Sequence, residues 1–466
     1  KDLRSVAVIG PASDTVSYGD YTETRGRKGG VSVLDGIRAA VSPETEVLYE
    51  RGCNFLGQAL HPFGPSMLYD ENGKAGLTGR YYNGPVPQGE PVQVRTDRTV
   101  NFNWIFALPH PALDANCFSV VWTGSVVMPR TMDGCIGLST QDSMRLYVDD
   151  KLLIDGWGKD KSADQALDFH FEAGRTYKIR IEFVNDRRGA RVIFGYSAGR
   201  ENFPAAVEAA RKADVAILCM GDNEETSGEN FDRTDLNLPG RQLELVQAVY
   251  ATGTPVVLVL QSGRPVTANW ENDHLPAILE AWFPGEQGGT AIAKTLFGDA
   301  APGGRLPITF PRSVGQIPCH YSRRPGGGKR YVEMDWLPLY PFGYGLTYTT
   351  FAYRDMALSR SVIDPQDTVT VSVTVTNTGK YTGDAVPQLY VRDMFSSVVK
   401  PERQLAAFRR LTLAPGESRR VELTVGPKQL RTLGPDYVWR VEPGKFELQL
   451  GDNAENILLR ADVTVE

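Results

Sequence analysis

Val6-Ala7-Val8-Ile9-Gly10-Pro11 and Val215-Ala216-Ile217-Leu218-Cys219 are the two stretches that decide the fold of this chain. Each is a continuous apolar run of strand length, the pattern of a strand buried on both faces of a parallel sheet. The first stops at Gly10-Pro11, a loop signal. Beyond it, Val33-Leu34, Ile37 and Ala40-Val41 recur at helical spacing, and Val47-Leu48-Tyr49 reads as a second strand. That is a βαβ start. The second run is preceded by a helical stretch over 205–212 and followed by a helix over 242–250, a strand over 256–260, a strand over 277–279 and a helix over 289–297. Alternating strands and helices predict a doubly wound parallel sheet of the α/β class.

The pattern breaks off near Gly52 and resumes only at Phe203, so something is inserted. The insert shows period-2 alternation, as in Met144-Arg145-Leu146-Tyr147-Val148 and Tyr177-Lys178-Ile179-Arg180-Ile181-Glu182-Phe183, which predicts an antiparallel β-sandwich or barrel. After Thr349, runs such as Thr368-Val369-Thr370-Val371-Ser372-Val373-Thr374-Val375, broken by turns at Asn377-Thr378-Gly379 and Pro415-Gly416, predict an immunoglobulin-like sandwich. Between them, 302–348 is rich in Gly, Pro and aromatic residues without periodicity, and reads as an ordered connection pinned by aromatic packing. The expected segments are 1–72 and 200–349 for the two parts of the α/β domain with its connection, 73–199 for the β insert and 350–466 for the final sandwich.

Composition narrows the class of function. The 466 residues suit about three domains. Fifty Lys and Arg against 56 Asp and Glu give a net charge of −6 with no charged run, so no nucleic-acid partner is expected. A hydrophobic content of 41% excludes a disordered chain. No run approaches the roughly 18 apolar residues needed to span a bilayer, so no membrane partner is expected either. Five cysteines without CxxC spacing predict buried free thiols rather than a disulfide framework, and five scattered histidines give no metal-ligand pattern.

In an open parallel sheet, ligands bind beyond the carboxyl ends of the strands. The long loop after the second deciding strand, 221–235, lies there and carries six carboxylates: Asp222, Glu224, Glu225, Glu229, Asp232 and Asp235. A loop this long is uncommon unless functional or mobile. Its side chains would meet the positive end of the helix that starts after Pro239-Gly240. The plainer reading is a solvated acidic loop in which Asp232 and Arg233 make local ion pairs, and local reasoning does not choose among Glu224, Glu225 and Glu229. Gly10 is followed by Pro and Ala, not by the glycine spacing of a dinucleotide loop, and the phosphate-loop and Gly-x-Ser-x-Gly motifs are missing.

The residues resemble a known family. Ala7-Val8-Ile9-Gly10-Pro11, Thr226-Ser227-Gly228-Glu229-Asn230-Phe231-Asp232-Arg233, Leu236-Asn237-Leu238-Pro239-Gly240, Phe283-Pro284-Gly285-Glu286-Gln287-Gly288-Gly289, Phe297-Gly298-Asp299, Gly304-Arg305-Leu306-Pro307-Ile308-Thr309-Phe310-Pro311 and Tyr340-Pro341-Phe342-Gly343-Tyr344-Gly345-Leu346 together look like the carboxy-terminal half of family 3 glycoside hydrolases, the β-glucosidase and β-xylosidase group. The insert is similar to a protective-antigen-like domain through Leu77-Thr78-Gly79-Arg80-Tyr81-Tyr82, Leu146-Tyr147-Val148-Asp149 and Leu153-Ile154-Asp155-Gly156-Trp157. The tail resembles a fibronectin type III-like module, with Val398-Val399-Lys400-Pro401 in its characteristic loop.

The resemblance implies a retaining exo-β-glucosidase acting on terminal non-reducing β-D-glucosyl residues of oligosaccharides or aryl glucosides, without cofactor or metal, in a secreted or periplasmic setting. It implies Glu229 as general acid/base, three residues before an Asp-Arg pair. Asn230 stands where many members have Gly, so Glu225 is the alternative. The aspartate nucleophile is implied on a barrel domain with a Ser-Asp-Trp motif that no segment here resembles, in the same protein or a companion chain. β-Xylosidase, α-arabinofuranosidase and glucosyl transfer belong to the same family pattern. In the insert, Gln141-Asp142 stands where related adhesins pair two aspartates on calcium, so the insert is expected to shape the rim of the active site instead. A carbohydrate-binding or adhesion module without catalysis is the rival from another class.

Overall fold

The computed structural model describes all residues except 1–2, 23–28, 56–59, 105–107, 130, 141, 159–164, 187–189, 199–202, 224–225 and 327–329. Two compact units emerge, Arg51–Ala206 and the remainder, Lys1–Glu50 with Val207–Glu466. The chain leaves the larger unit after the strand Glu46–Glu50 and re-enters it in the first turns of the helix Phe203–Lys212.

The α/β part is one parallel sheet with the order Ala277–Glu280, Val256–Gln261, Val215–Gly221, Ser5–Ile9, Glu46–Glu50. Ser5–Ile9 is buried at every position, as a strand covered on both faces requires. From this strand the chain first builds outward to Glu46–Glu50 and then, after the second unit, outward on the other side through Val215–Gly221. The order therefore reverses between Ser5–Ile9 and Val215–Gly221, and that is where such sheets open a crevice at their carboxyl ends. Gly221 closes its strand at φ +137°, and a Cβ there would stand 1.9 Å from the Gln261 carbonyl oxygen of the next strand. Only glycine lets the following loop leave at this point.

Two helices contact each other on the sheet. Val33–Ala40 starts at Ser32, whose hydroxyl accepts the Asp35 N–H at 3.1 Å, a side-chain N-cap. It meets Gly288–Leu296 backbone to backbone: a Cβ on Gly289 would lie 1.9 Å from the Ser32 carbonyl oxygen.

The segment from Pro302 to Tyr348 has little regular structure and is held by rings. Phe310 lies edge-on to Trp282 and Tyr340, Tyr340 stacks on Tyr344, and Tyr321 stacks on Phe342 at 4.3 Å. Two sheets follow, Phe351–Leu358, Val369–Asn377 and Ser418–Val425 in one, and Val362–Ile363, Ile457–Val465, Gly444–Gly451, Gln388–Asp393 and Gln404–Phe408 in the other, antiparallel except where Val362–Ile363 runs parallel to Ile457–Val465. Val369–Asn377 alternates buried and half-buried residues along its length, so Val369, Val371, Val373 and Val375 enter the sandwich core.

Apart from the start of the helix Phe203–Lys212, the regular structure among the described residues of the unit Arg51–Ala206 is β, with two sheets around an aromatic core that includes Phe63, Tyr81, Phe118, Trp122, Phe171 and Phe194. Trp104 and Trp122 are core, as their strand-like contexts suggest. Trp157 is half-buried with the Arg145 guanidinium 4.8 Å from its ring centre. Asp97 is the polar centre: buried, it accepts the Tyr81 hydroxyl at 2.5 Å, the Trp122 indole N–H at 2.8 Å and the Arg95 Nε–H at 2.7 Å. None of the five cysteines is in a disulfide; Cys53, Cys135 and Cys219 are buried, Cys117 and Cys319 half-buried. Burial pushes the Cys219 thiol up to about 12, which keeps it inert as a nucleophile.

Candidate active site

The loop after Val215–Gly221 is built from two turns. In the first, the Asn223 carbonyl accepts the N–H groups of Thr226 at 3.1 Å and Ser227 at 2.9 Å, while the Thr226 hydroxyl accepts the Asn223 N–H at 3.0 Å. In the second, the Phe231 N–H bonds back to the Gly228 carbonyl at 3.2 Å, so Glu229 and Asn230 occupy the two central positions. Asn230 has φ +63°. A positive φ at the third position of a β-turn is the mark of type II, which takes Gly or Asn there. Asn230 thus adopts the left-handed conformation that favours glycine, and the departure from the family pattern leaves the turn intact. Glu229 sits at the tip, exposed. Its N–H donates to Asp20 Oδ2 at 3.1 Å, so the loop that follows Ser5–Ile9 meets the loop that follows Val215–Gly221. These loops flank the point where strand order reverses.

Behind the turn, Asp222 is the hub. Its side chain is 2% exposed and faces two guanidinium groups, Arg233 at 3.3 Å and Arg264 at 3.8 Å. Burial raises its pKa, and the Thr226 hydroxyl, at 3.0 Å, and the two arginines oppose that rise. Arg264 Nη2 also donates to the carbonyls of Thr226 at 3.2 Å and Phe231 at 3.3 Å, and Arg233 Nη2 to the Asn237 carbonyl at 2.8 Å. The ion pairs of Arg233 are with Asp222 and Asp235. Glu280, at the end of its edge strand, has one oxygen sealed from solvent. Burial pushes its carboxyl up to about 8, against the Trp282 N–H, which donates to the other oxygen at 2.9 Å.

Of the sequence-predicted residues, Glu229 is therefore placed at a strand-end turn, while Glu224 and the alternative Glu225 lie outside the described residues. Asp20, Arg264 and Glu280 were not anticipated. Asp20 and Arg264 come from other strand ends, and no local pattern ties them to Glu229. Asp142 is buried, and its neighbour 141 lies outside the described residues. A cavity of about 520 Å³ is lined by Tyr321, Arg323, Tyr331, Trp336 and Phe342 among others, none of them from the Glu229 loop. The chemistry and the cavity are separate features of this chain.

Residues 1–348 match the glycosyl hydrolase family 3 C-terminal domain. The chain belongs to family 3. Residues 385–454 match a fibronectin type III-like domain. A β-xylosidase of Formosa agariphila is 46% identical over 290 residues, covering 60% of this chain and 40% of that protein. A β-glucosidase of Rhizobium radiobacter is 34% identical, covering 99% of this chain and 59% of that protein. The crystal structure of a β-glucosidase from Kluyveromyces marxianus superposes with a TM-score of 0.70 at 27% identity, over 100% of this chain and 59% of that one. The chain thus spans well under two thirds of the length of these family 3 relatives.

Proposed function

We propose that this chain is the acid/base-bearing portion of a retaining exo-β-glucosidase and that Glu229 is its general acid/base. The observation that carries the reading is the placement of Glu229: at the exposed tip of a type II turn, backed by Asp20 and the buried Asp222 pair, beside the strand-order reversal of a family 3 sheet. A retaining glycosidase needs a carboxylic acid to protonate the leaving oxygen and a carboxylate nucleophile roughly 5 Å away on the opposite side of the scissile bond. In the first step Glu229 gives its proton to the glycosidic oxygen as the nucleophile attacks the anomeric carbon. In the second, the same carboxylate takes a proton from water as the glycosyl ester is hydrolysed. The nucleophile is an aspartate of a barrel domain that meets this chain from the same protein or a companion.

The substrate in this reading is a β-glucoside oligosaccharide or aryl glucoside. The 46% identity to a β-xylosidase favours a β-xyloside as the second choice. Residues 73–199, which lie within the unit Arg51–Ala206, are read as the protective-antigen-like insert on their strand motifs and aromatic core. A secreted or periplasmic setting follows from substrates of this size. No helix among the described residues is long and apolar enough to cross a membrane.

The reading is tested by the leaving-group dependence of Glu229→Gln in the full-length protein. The variant should lose about 10²- to 10⁴-fold in kcat/KM on alkyl or phenyl glycosides, which need protonation, and far less in kcat/KM on dinitrophenyl glycosides, which do not, while kcat on the dinitrophenyl substrate falls because the second step lacks its base. Equal turnover of variant and parent on both substrates would remove Glu229 from the mechanism.

A further inference from the structure

We propose that Asp222 is a positioning residue for the general acid, clamping Arg233 and Arg264 so that they hold the turn bearing Glu229 in place. The proposal rests on the reading of Glu229 given above and deepens it. Asp222 is fixed from below, because its N–H continues the sheet ladder to the Gln261 carbonyl at 2.8 Å, directly after the buried strand Val215–Gly221. It therefore cannot drift with the loop.

From this anchor three ties reach the loop. The Thr226 hydroxyl donates to Asp222 Oδ1 at 3.0 Å. Arg264, at 3.8 Å from Asp222, donates through Nη2 to the carbonyls of Thr226 and Phe231, which bracket Glu229 on its two sides. Arg233, at 3.3 Å from Asp222, holds the loop exit through the Asn237 carbonyl. Both guanidinium groups are largely buried, at 22% and 15% side-chain exposure. Without the Asp222 charge they are two like charges facing the same site, and they move apart with the carbonyls they carry. The turn between those carbonyls then shifts, and Glu229 with it.

A shift of about 1 Å in a proton donor costs on the order of 10²-fold in rate when the reaction needs that proton. Misplacement is thus distinguishable from general loosening by its selectivity. The test uses the full-length protein and compares Asp222→Asn, Glu229→Gln and parent on phenyl and dinitrophenyl β-glucosides. For Asp222→Asn, kcat/KM on the phenyl substrate should fall about 10- to 100-fold, with a much smaller loss of kcat/KM on the dinitrophenyl substrate, whose departure needs no acid. Thr226→Val keeps the shape and removes the hydroxyl that ties to Asp222 and accepts the Asn223 N–H, so it should move the same ratio in the same direction by less, and it carries the test if Asp222→Asn does not fold.

Equal losses of kcat/KM on both substrates, which leave the phenyl-to-dinitrophenyl ratio of kcat/KM unchanged, overturn the proposal. Where Glu229→Gln is selective and neither Asp222→Asn nor Thr226→Val is, the positioning role alone falls. Where Glu229→Gln is itself unselective, both readings fall together.

Discussion

Glu280 should give the α/β domain a pH dependence of unusual sign. Its carboxyl sits at the end of Ala277–Glu280 with one oxygen sealed from solvent, and burial, aided by the charge of Asp222, holds its pKa at about 8 against an ordinary 4.5. In the unfolded chain the group ionises near the ordinary value. Between about pH 4.5 and 8 the folded chain therefore holds one proton more than the unfolded chain, and stability falls as pH rises, by at most ~1.4 kcal/mol per pH unit. Below that window the favourable linkage is fully present; above about 8 it is gone. The raise from 4.5 to about 8 sets a ceiling of ~5 kcal/mol. Because the residue as a whole is only half-buried, relaxation and water bring the expectation to ~2 kcal/mol. Glu280→Gln keeps the shape without the titration. Urea unfolding of the full-length protein, followed by fluorescence at several pH values, should show the variant gaining on the parent from about pH 5 to 8 and holding a constant lead above that. A gap that is the same at every pH would refute a buried, protonated Glu280.

Three further outcomes follow from geometry. Gly289→Ala sets a Cβ 1.9 Å from the Ser32 carbonyl oxygen, backbone against backbone, and should lower stability by about 3 kcal/mol in the same unfolding assay. Asp97→Ala leaves Tyr81, Trp122 and Arg95 without their shared acceptor and should cost about 3 kcal/mol in the unit Arg51–Ala206, visible as an earlier transition in calorimetry. Asn230→Gly should leave kcat near the parent value, because both residues accept φ +63°, whereas Asn230→Val, β-branched in a left-handed position, should cost about 1–2 kcal/mol of strain and depress kcat on phenyl glycosides.

The sheet was legible because burial on both faces writes itself as an unbroken apolar run: Val6 to Ile9 and Val215 to Cys219 are strands in the structure, and the intervening change to period-2 alternation marked the inserted unit. The aromatic pinning of 302–348 was legible too, since Phe310, Tyr321, Tyr340 and Phe342 had no periodic face to serve. The site was less so. Local chemistry left Glu224, Glu225 and Glu229 equivalent, and only the family resemblance separated them. The turn itself was in the sequence: Gly228-Glu229-Asn230-Phe231 has Asn where a type II turn needs φ > 0. What no local pattern shows is a partner from another strand end. Asp222 meets Arg264 across 42 positions, and Asp20 meets the Glu229 backbone across 209. Such pairs exist because a parallel sheet gathers its carboxyl-end loops on one edge.

The role of Glu229 is tested most directly by the product that Glu229→Ala makes from a dinitrophenyl β-glucoside in the presence of azide. The activated leaving group departs without an acid, and azide attacks the glycosyl–enzyme without needing a base. With Glu229 as acid/base of a retaining enzyme, turnover is restored and the product is β-glucosyl azide. An α-glucosyl azide, or hydrolysis at the parent rate with no azide product, would contradict it.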